Sequence, residues 1–415
     1  MPQVSRTDAE IPLAPPSIAQ LADLPEVQAA NVWLKANESQ LCRWQMEMVR
    51  IPAPPFGESA RSAWLEERFA ELGLDAVHTD QVGNVFGAHP GREQRCISLS
   101  AHIDTVFAAN AEIHVRQEGS KLFGPGISDN GAGVAALLGV AAALRSTSIH
   151  PALSILFIGN VGEEGEGDLR GMRHIFSQEK WRDSIAASLI VDGAGTDTIV
   201  AEALGSRRFE VSVRGPGGHS WSDFGLPNPI FVLARAIVAF SRTPIAANPK
   251  TTFNVGVIRG GTSVNSIPES ASMRVDIRSS SPSEIDRLEQ ALRAAVADAL
   301  QEDAASDALG KARHDEMVAE IVKIGDRPAG ELSSGSRILQ IIRAVDAHLG
   351  NSAQVQRAST DANVPLSLGR EAIAIGAGGR GGGAHTLQEW FDGAGREVGL
   401  QRILLTLLAL AGVNA

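Results

Sequence analysis

Residues 153–171 read LSILFIGNVGEEGEGDLRG, an apolar run that passes through glycines into four carboxylates, Glu163, Glu164, Glu166 and Asp168. A solvated acidic loop is the ordinary reading of an isolated charge run. The position argues otherwise: β-formers that end in glycine read as a buried strand whose carboxyl end opens into a crevice. In open α/β sheets that crevice is where ligands bind. The stretch therefore predicts an α/β sheet and asks what cancels the charge.

Working outward, short apolar runs at Ile97 to Ala101 and Ser188 to Val191 alternate with helical stretches such as Gly131 to Arg145. Helical spacing over residues 38–75 is broken by IPAPPFGE. This alternation predicts a mostly parallel sheet flanked by helices. From about Arg207 the texture changes. RRFEVSVRG alternates, Asn228 to Phe240 is helical, TTFNVGVIRGG and SASMRVDIRS alternate again, and Glu284 to Leu300 is an amphipathic helix. The order β-α-β-β-α, closed by a strand at Met317 to Ile324, is that of a ferredoxin-like α+β domain. After Pro328 the helix Ile338 to Leu349, the strand Ala372 to Ile375 and a C-terminal helix return to the first style. One domain is thus expected from residues 1–204 and 327–415, with residues 205–326 inserted as a second.

A chain of 415 residues, 44% of them hydrophobic, exceeds one ordinary core, in keeping with two domains. The net charge of -11 argues against nucleic acid and anionic membrane as partners. The start, MPQVSRTDAEIPLAPPSIAQ, has neither a basic n-region nor an apolar h-region, and the apolar stretch Ile403 to Val413 is too short to span a bilayer, which predicts a cytoplasmic protein. Cys42 and Cys96 lack metal-ligand spacing, so any metal must be held by His and carboxylates. The chain has no tyrosine, which removes one common oxyanion donor.

In SAHIDTV, residues 100–106, His102 and Asp104 leave the same face at a strand end, where a carboxylate can orient a metal-ligating imidazole. An ordinary structural His is the alternative. In GPGISDNGAGVAALLG, residues 124–139, Asp129 starts a helix and could simply cap it. A dinucleotide-binding GxGxxG would need Gly where Asp129 stands. Asp192 ends the strand SLIVDG, and His385 closes the glycine-rich GAGGRGGGAH. Each has a local explanation, a turn cap or a surface His. Together, His102, Asp129, Glu164, Asp192 and His385 form a donor set suited to borderline divalent metals.

The ordered set HID, GISDNGAG, the EE pair, VDG, GPGGHS, GGTSVNSIP and GGGAH resembles the M20 metallopeptidases, from about residue 40 to the end. That clan includes aminoacylases, acetylornithine and succinyl-diaminopimelate deacylases, glutamate carboxypeptidase and tripeptide aminopeptidase. The resemblance implies two Zn2+ per subunit, with Mn2+ or Co2+ able to substitute. It places Asp129 as bridge, His102 and Asp192 on one metal, and Glu164 and His385 on the other. Glu163 is then the general base on a bridging water. His219 of RGPGGHSW, otherwise a turn residue, would bind the oxyanion from the lid domain, often across a homodimer interface, for which an edge strand around Phe209 to Val213 and the helix Asn228 to Phe240 are the expected pairing surfaces. Asn265 and Arg278 match lid positions that contact substrate in relatives. Arg380 is a cation near His385, and Asp361 of STDANVP could orient substrate.

Asp at position 192 and the stretches GEEGEGDLRGM and GGRGGGAH resemble the aminopeptidase side of the family. The expectation is an exopeptidase of the di/tripeptidase type. An N-acyl amino acid deacylase or a carboxypeptidase is the alternative, and a non-catalytic peptide- or metal-binding protein a remote one. A non-catalytic descendant would have no reason to keep Glu163.

Overall fold

A computed structural model of the protein describes residues 17–305 and 317–413. Two separate β-sheet cores organise them, as the change of texture near Arg207 anticipates.

The larger sheet has nine strands. At its centre Leu153–Asn160, Glu93–His102, Ile185–Val191 and Glu371–Ile375 run parallel to their neighbours. They are buried on both faces and therefore read as continuous apolar runs rather than alternating ones. Outward the sheet turns antiparallel, at Val85–His89 and Asp75–Thr79 on one side and Thr198–Ala203 on the other. The sheet is mixed, with the parallel character confined largely to the middle.

Helices cover both faces. Gly131–Arg145 is buried along nearly its whole length, and an added Cβ at Gly139 would lie 2.7 Å from Leu41 Cδ2, so glycine is what lets the helix Glu38–Val49 approach so closely. The C-terminal helix Arg396–Ala411 is buried likewise, its Arg402 bonded to Asp346 at 2.6 and 2.9 Å. Residues left unexplained by the sequence now have a place: the helices Ile18–Asp23 and Pro25–Ala36 add Leu21, Val27, Ala30 and Leu34 to the main core. The extreme N-terminal stretch, read for targeting signals, lies outside the described residues. Among the described residues no helix is long and apolar enough to cross a membrane.

The second sheet has the order Thr251–Gly260, Ser270–Ser279, Gly205–Arg214, Val318–Arg327, all antiparallel. The helices Pro229–Ser241 and Pro282–Ala305 lie on one of its faces, giving the split βαβ arrangement of a ferredoxin-like domain. One sequence expectation is corrected here. The stretch Phe209 to Val213, read as an edge strand open to a partner, is central and paired on both sides. Its apolar residues face the helices, and among the described residues the edge strands are Thr251–Gly260 and Val318–Arg327.

Candidate metal centre

The central parallel strands end together, and their ends carry the site. His102 closes Glu93–His102 and is paired in register with Asn160 of the neighbouring strand. Its Nδ1 lies 3.2 Å from the Asp104 carbonyl oxygen and 3.5 Å from Asp104 Oδ1. The Asp104 carboxylate, wholly buried, also accepts from the backbone N–H groups of Glu163 (3.0 Å) and Glu164 (2.8 Å). Asp104 therefore does more than orient one ring: it locks the EE turn to the HxD strand end.

Asp129 stands at the start of Gly131–Arg145 but does not cap it. Asn130 does, its side chain accepting from Gly133 N–H at 3.1 Å. Relieved of that task, Asp129 turns into the crevice, with Oδ1 3.1 Å from His102 Nε2 and Oδ2 3.2 Å from His385 Nε2. Asp192 Oδ1 lies 3.8 Å from His102 Nε2, and Glu164 Oε1 lies 3.0 Å from His385 Nε2. Three donor groups result, His102 with Glu163 and Glu164, His102 with Asp129 and Asp192, and Asp129 with Glu164 and His385, each with its ligand atoms within 4.8 Å of one another. Asp129 belongs to both of the last two. Two neutral imidazoles and three carboxylates suit a pair of divalent cations in charge and in ligand type.

The electrostatics agree. Burial works against a charged His102, yet its bonds to Asp104, Asp129 and Asp192 hold its pKa well above the ordinary value. The bond to Asp129, with Glu164 nearby, raises His385 to about 9. Both imidazoles thus sit where positive charge is favoured, the property a cation would meet. Burial also raises the pKa of Glu163, which for a carboxyl favours the neutral form, against the opposing pull of Arg327.

The four acidic residues of 163–168 divide in two. Only Glu163 and Glu164 are buried at the site. Asp168 accepts from Asp326 N–H of the second sheet at 3.1 Å and pairs with Arg173, while exposed Glu166 lies 3.7 Å from Arg274. Half of the crowded charge belongs to the contact between domains.

The other expected residues lie elsewhere. His219 and Asn265 are exposed neighbours on the second domain, where the short pair Gly218–His219 and Ser266–Ile267 joins their loops, and their hydrogen bonds stay within that domain. Arg278 is tied to Asp276 of its own strand at 2.7 Å. Asp361 is buried and accepts from Asn160 at 2.6 Å, with burial raising it to about 7, so it belongs to the floor of the site rather than its surface. Arg380 is exposed on the wall of a cavity of about 730 Å3 that Asp129, Asp192, Asp197, Trp390 and the glycine-rich loops also line.

Two residues were missed. Arg327, the last of its strand, is buried and bonds Glu163 Oε1 at 2.9 Å and the Glu163 carbonyl. Glu389 bonds the backbone of the Asp129 loop. An Arg before Pro328 reads as a turn residue, and an acid in TLQEWFD as a surface one.

The model of peptidase family M28 matches residues 84–207, and that of the M20 peptidase dimerisation domain matches residues 202–304. Protein YqjE of Bacillus subtilis (strain 168) is 25% identical over 359 residues, 82% of this chain and 91% of that protein. Carboxypeptidase G2 of Pseudomonas sp. (strain RS-16) is 26% identical over 229 residues, 54% of this chain and 55% of that protein. The structure of aminopeptidase PepT from Bacillus cereus ATCC 10987 aligns with a TM-score of 0.70 at 19% identity, covering 91% of this chain and 99% of that one.

Proposed function

We propose that this chain, which is similar to the M28 peptidases over residues 84–207 and to the M20 dimerisation domain over residues 202–304, is a metallopeptidase of that kind, a two-metal amide hydrolase and an exopeptidase that releases an amino acid from short peptides. The observation that carries the reading is Asp129 shared between two donor groups, with Glu163 buried beside them. In this reading His102, Asp129 and Asp192 hold one ion and Asp129, Glu164 and His385 the other, Zn2+ being the first choice for such donors. Two bound ions of this kind lower the pKa of a shared water and polarise a carbonyl.

The chain's own residues do the rest. Glu163, its pKa raised by burial, takes the water's proton at a carboxylate oxygen and returns it to the leaving amine. Asp104 holds the turn that carries it, through the N–H groups of Glu163 and Glu164. The 730 Å3 cavity beside Asp129 and Asp192 is the natural place for the peptide, with Arg380 on its wall. His219 supplies the oxyanion donor. Its Nδ1 accepts from Trp221 N–H at 3.2 Å, so a neutral ring carries its proton on Nε2 and can donate from there. Since His219 is exposed, the reading includes a homodimer in which each domain of residues 205–326 serves the neighbouring site. The match to a dimerisation domain and the edge strand Thr251–Gly260 support this, as do exposed Phe231 and Val238 of the helix Pro229–Ser241. A cytoplasmic location goes with it.

A second reading has support of its own: the similarity to carboxypeptidase G2 favours recognition of the substrate's carboxyl end. The deciding experiment assays a tripeptide with free and acetylated N-terminus, a C-terminally amidated tripeptide and N-acetyl amino acids, with Zn2+, Mn2+ or Co2+ added. The proposal expects acetylation of the N-terminus to reduce kcat/KM strongly. Better turnover of N-acetyl amino acids makes the enzyme a deacylase, and loss of turnover on C-terminal amidation alone makes it a carboxypeptidase.

A further inference from the structure

Residues 385–389 form a tight turn in which Thr386 N–H and Oγ1 both bond the Gly383 carbonyl and Glu389 N–H bonds the Thr386 carbonyl. The turn delivers two side chains to the same place. His385 reaches the Asp129 carboxylate directly, at 3.2 Å. Glu389, 0% exposed, reaches the Asp129 loop by its backbone. Its Oε2 accepts from Gly126 N–H, and its Oε1 from both Ser128 and Asp129 N–H, all at 2.7 Å.

Residue 125 is proline, so residues 124–129 offer five backbone N–H groups. Four end on Glu389, three on its carboxylate and that of Gly124 on its carbonyl oxygen, while Ile127 N–H closes back on Gly124. Both carboxylate oxygens are thus occupied by backbone donors, which leaves Glu389 no role as a ligand. It fixes the main chain from which Asp129 reaches His102 on one side and His385 on the other.

We propose that Glu389 is a positioning residue for the shared carboxylate, setting the affinity of both metal positions through the Asp129 backbone without touching metal or substrate. The inference rests on the two-metal reading. One segment, residues 385–389, would then supply a ligand to one position and the reference point for the residue common to both. Outer-sphere partners of this kind are worth about 10- to 100-fold in metal affinity.

The test is Glu389→Gln, nearly isosteric, which sets an amide NH2 against a backbone N–H that now has a carboxylate oxygen. Zinc affinity is read by competition with a chromophoric chelator and stoichiometry by elemental analysis, beside wild type and Asp346→Asn. The last weakens the buried pair with Arg402, apart from this loop, and is expected to lower Tm with zinc affinity unchanged. Glu389→Gln is expected to bind zinc about 10- to 100-fold more weakly, and to recover most of kcat at saturating zinc. Affinity within twofold of wild type, whatever the loss in Tm, overturns the inference and leaves Glu389 a structural residue. If Glu389→Gln does not fold, Glu389→Asp, one methylene too short for all three donors, is read by the same criterion. A wild-type protein that binds no divalent ion instead removes the two-metal reading itself.

Discussion

The floor of the site and the second domain solve different problems with the same kinds of residue. On the floor most of the polar groups are buried or half-buried, exposed His385 apart, and the central ones are held by another: His102 by Asp104, Glu163 by Arg327, the Asp129 loop by Glu389. On the second domain His219 and Asn265 are exposed, and their hydrogen bonds go to their own and neighbouring loops. Preorganised charge stabilises a transition state best when it is held fixed, whereas groups that must come and go with substrate are carried on parts that can move. Under the proposed function, the contrast means that one chain would complete the metal half of the reaction and leave the oxyanion half to be delivered.

The sharpest way to break the contrast is at its centre. Asp129→Ala removes the residue common to both donor groups proposed to hold metal, and is expected to take the metal content from two ions to none and activity to background, by elemental analysis and peptide assay. Chelation of the wild type should do the same, reversibly. An Asp129→Ala protein that keeps both ions would show that the site is not bridged by this carboxylate.

Next in size is Glu163→Ala. A base that is not a ligand can go without loss of metal, so kcat should fall about 100- to 10,000-fold while zinc stoichiometry holds. Loss of bound zinc in this variant would move Glu163 among the ligands, as its proximity to His102 and Glu164 permits. The effect includes a structural part. Arg327, buried, loses the Glu163 carboxylate while keeping the residue 163 carbonyl and Ser359 Oγ, and removing one charge of a buried pair costs up to about 3–5 kcal/mol. A lowered Tm is therefore expected beside the lost turnover, and Glu163→Gln, which keeps an oxygen toward Arg327, should lose less of it.

How far the sequence carried this picture follows the same division. The central strands were legible because burial on both faces leaves no alternation, and the five candidate ligands because each stands at a strand or loop end. What connects them was not. Glu389 acts on backbone groups about 260 positions away, and Arg327 on a carboxylate 164 away. Neither partnership leaves a local pattern. The same holds for Phe209 to Val213: alternation revealed a sheet with one covered face, and only the pairing shows that the strand is central. Asn130 in place of Asp129 as helix cap is a shift of one residue that decides whether Asp129 is structural or free for the site.

The last two tests act on the delivered half. His219→Ala should leave zinc content unchanged and lower kcat about 100- to 1,000-fold, the usual cost of one oxyanion donor. If His219 serves the partner's site, the defect can be complemented. Glu163→Ala and His219→Ala proteins unfolded together and refolded should give half mixed dimers, each with one site that has both its own Glu163 and a borrowed His219. One working site in two on half of the dimers is about a quarter of wild-type activity. The measurement separates two explanations of an exposed His219. A mixture that stays inactive while mixed dimers are shown to form means that the domain closes over its own chain's metals. A quarter of the activity means that the floor and the delivered donor of each working site belong to different chains.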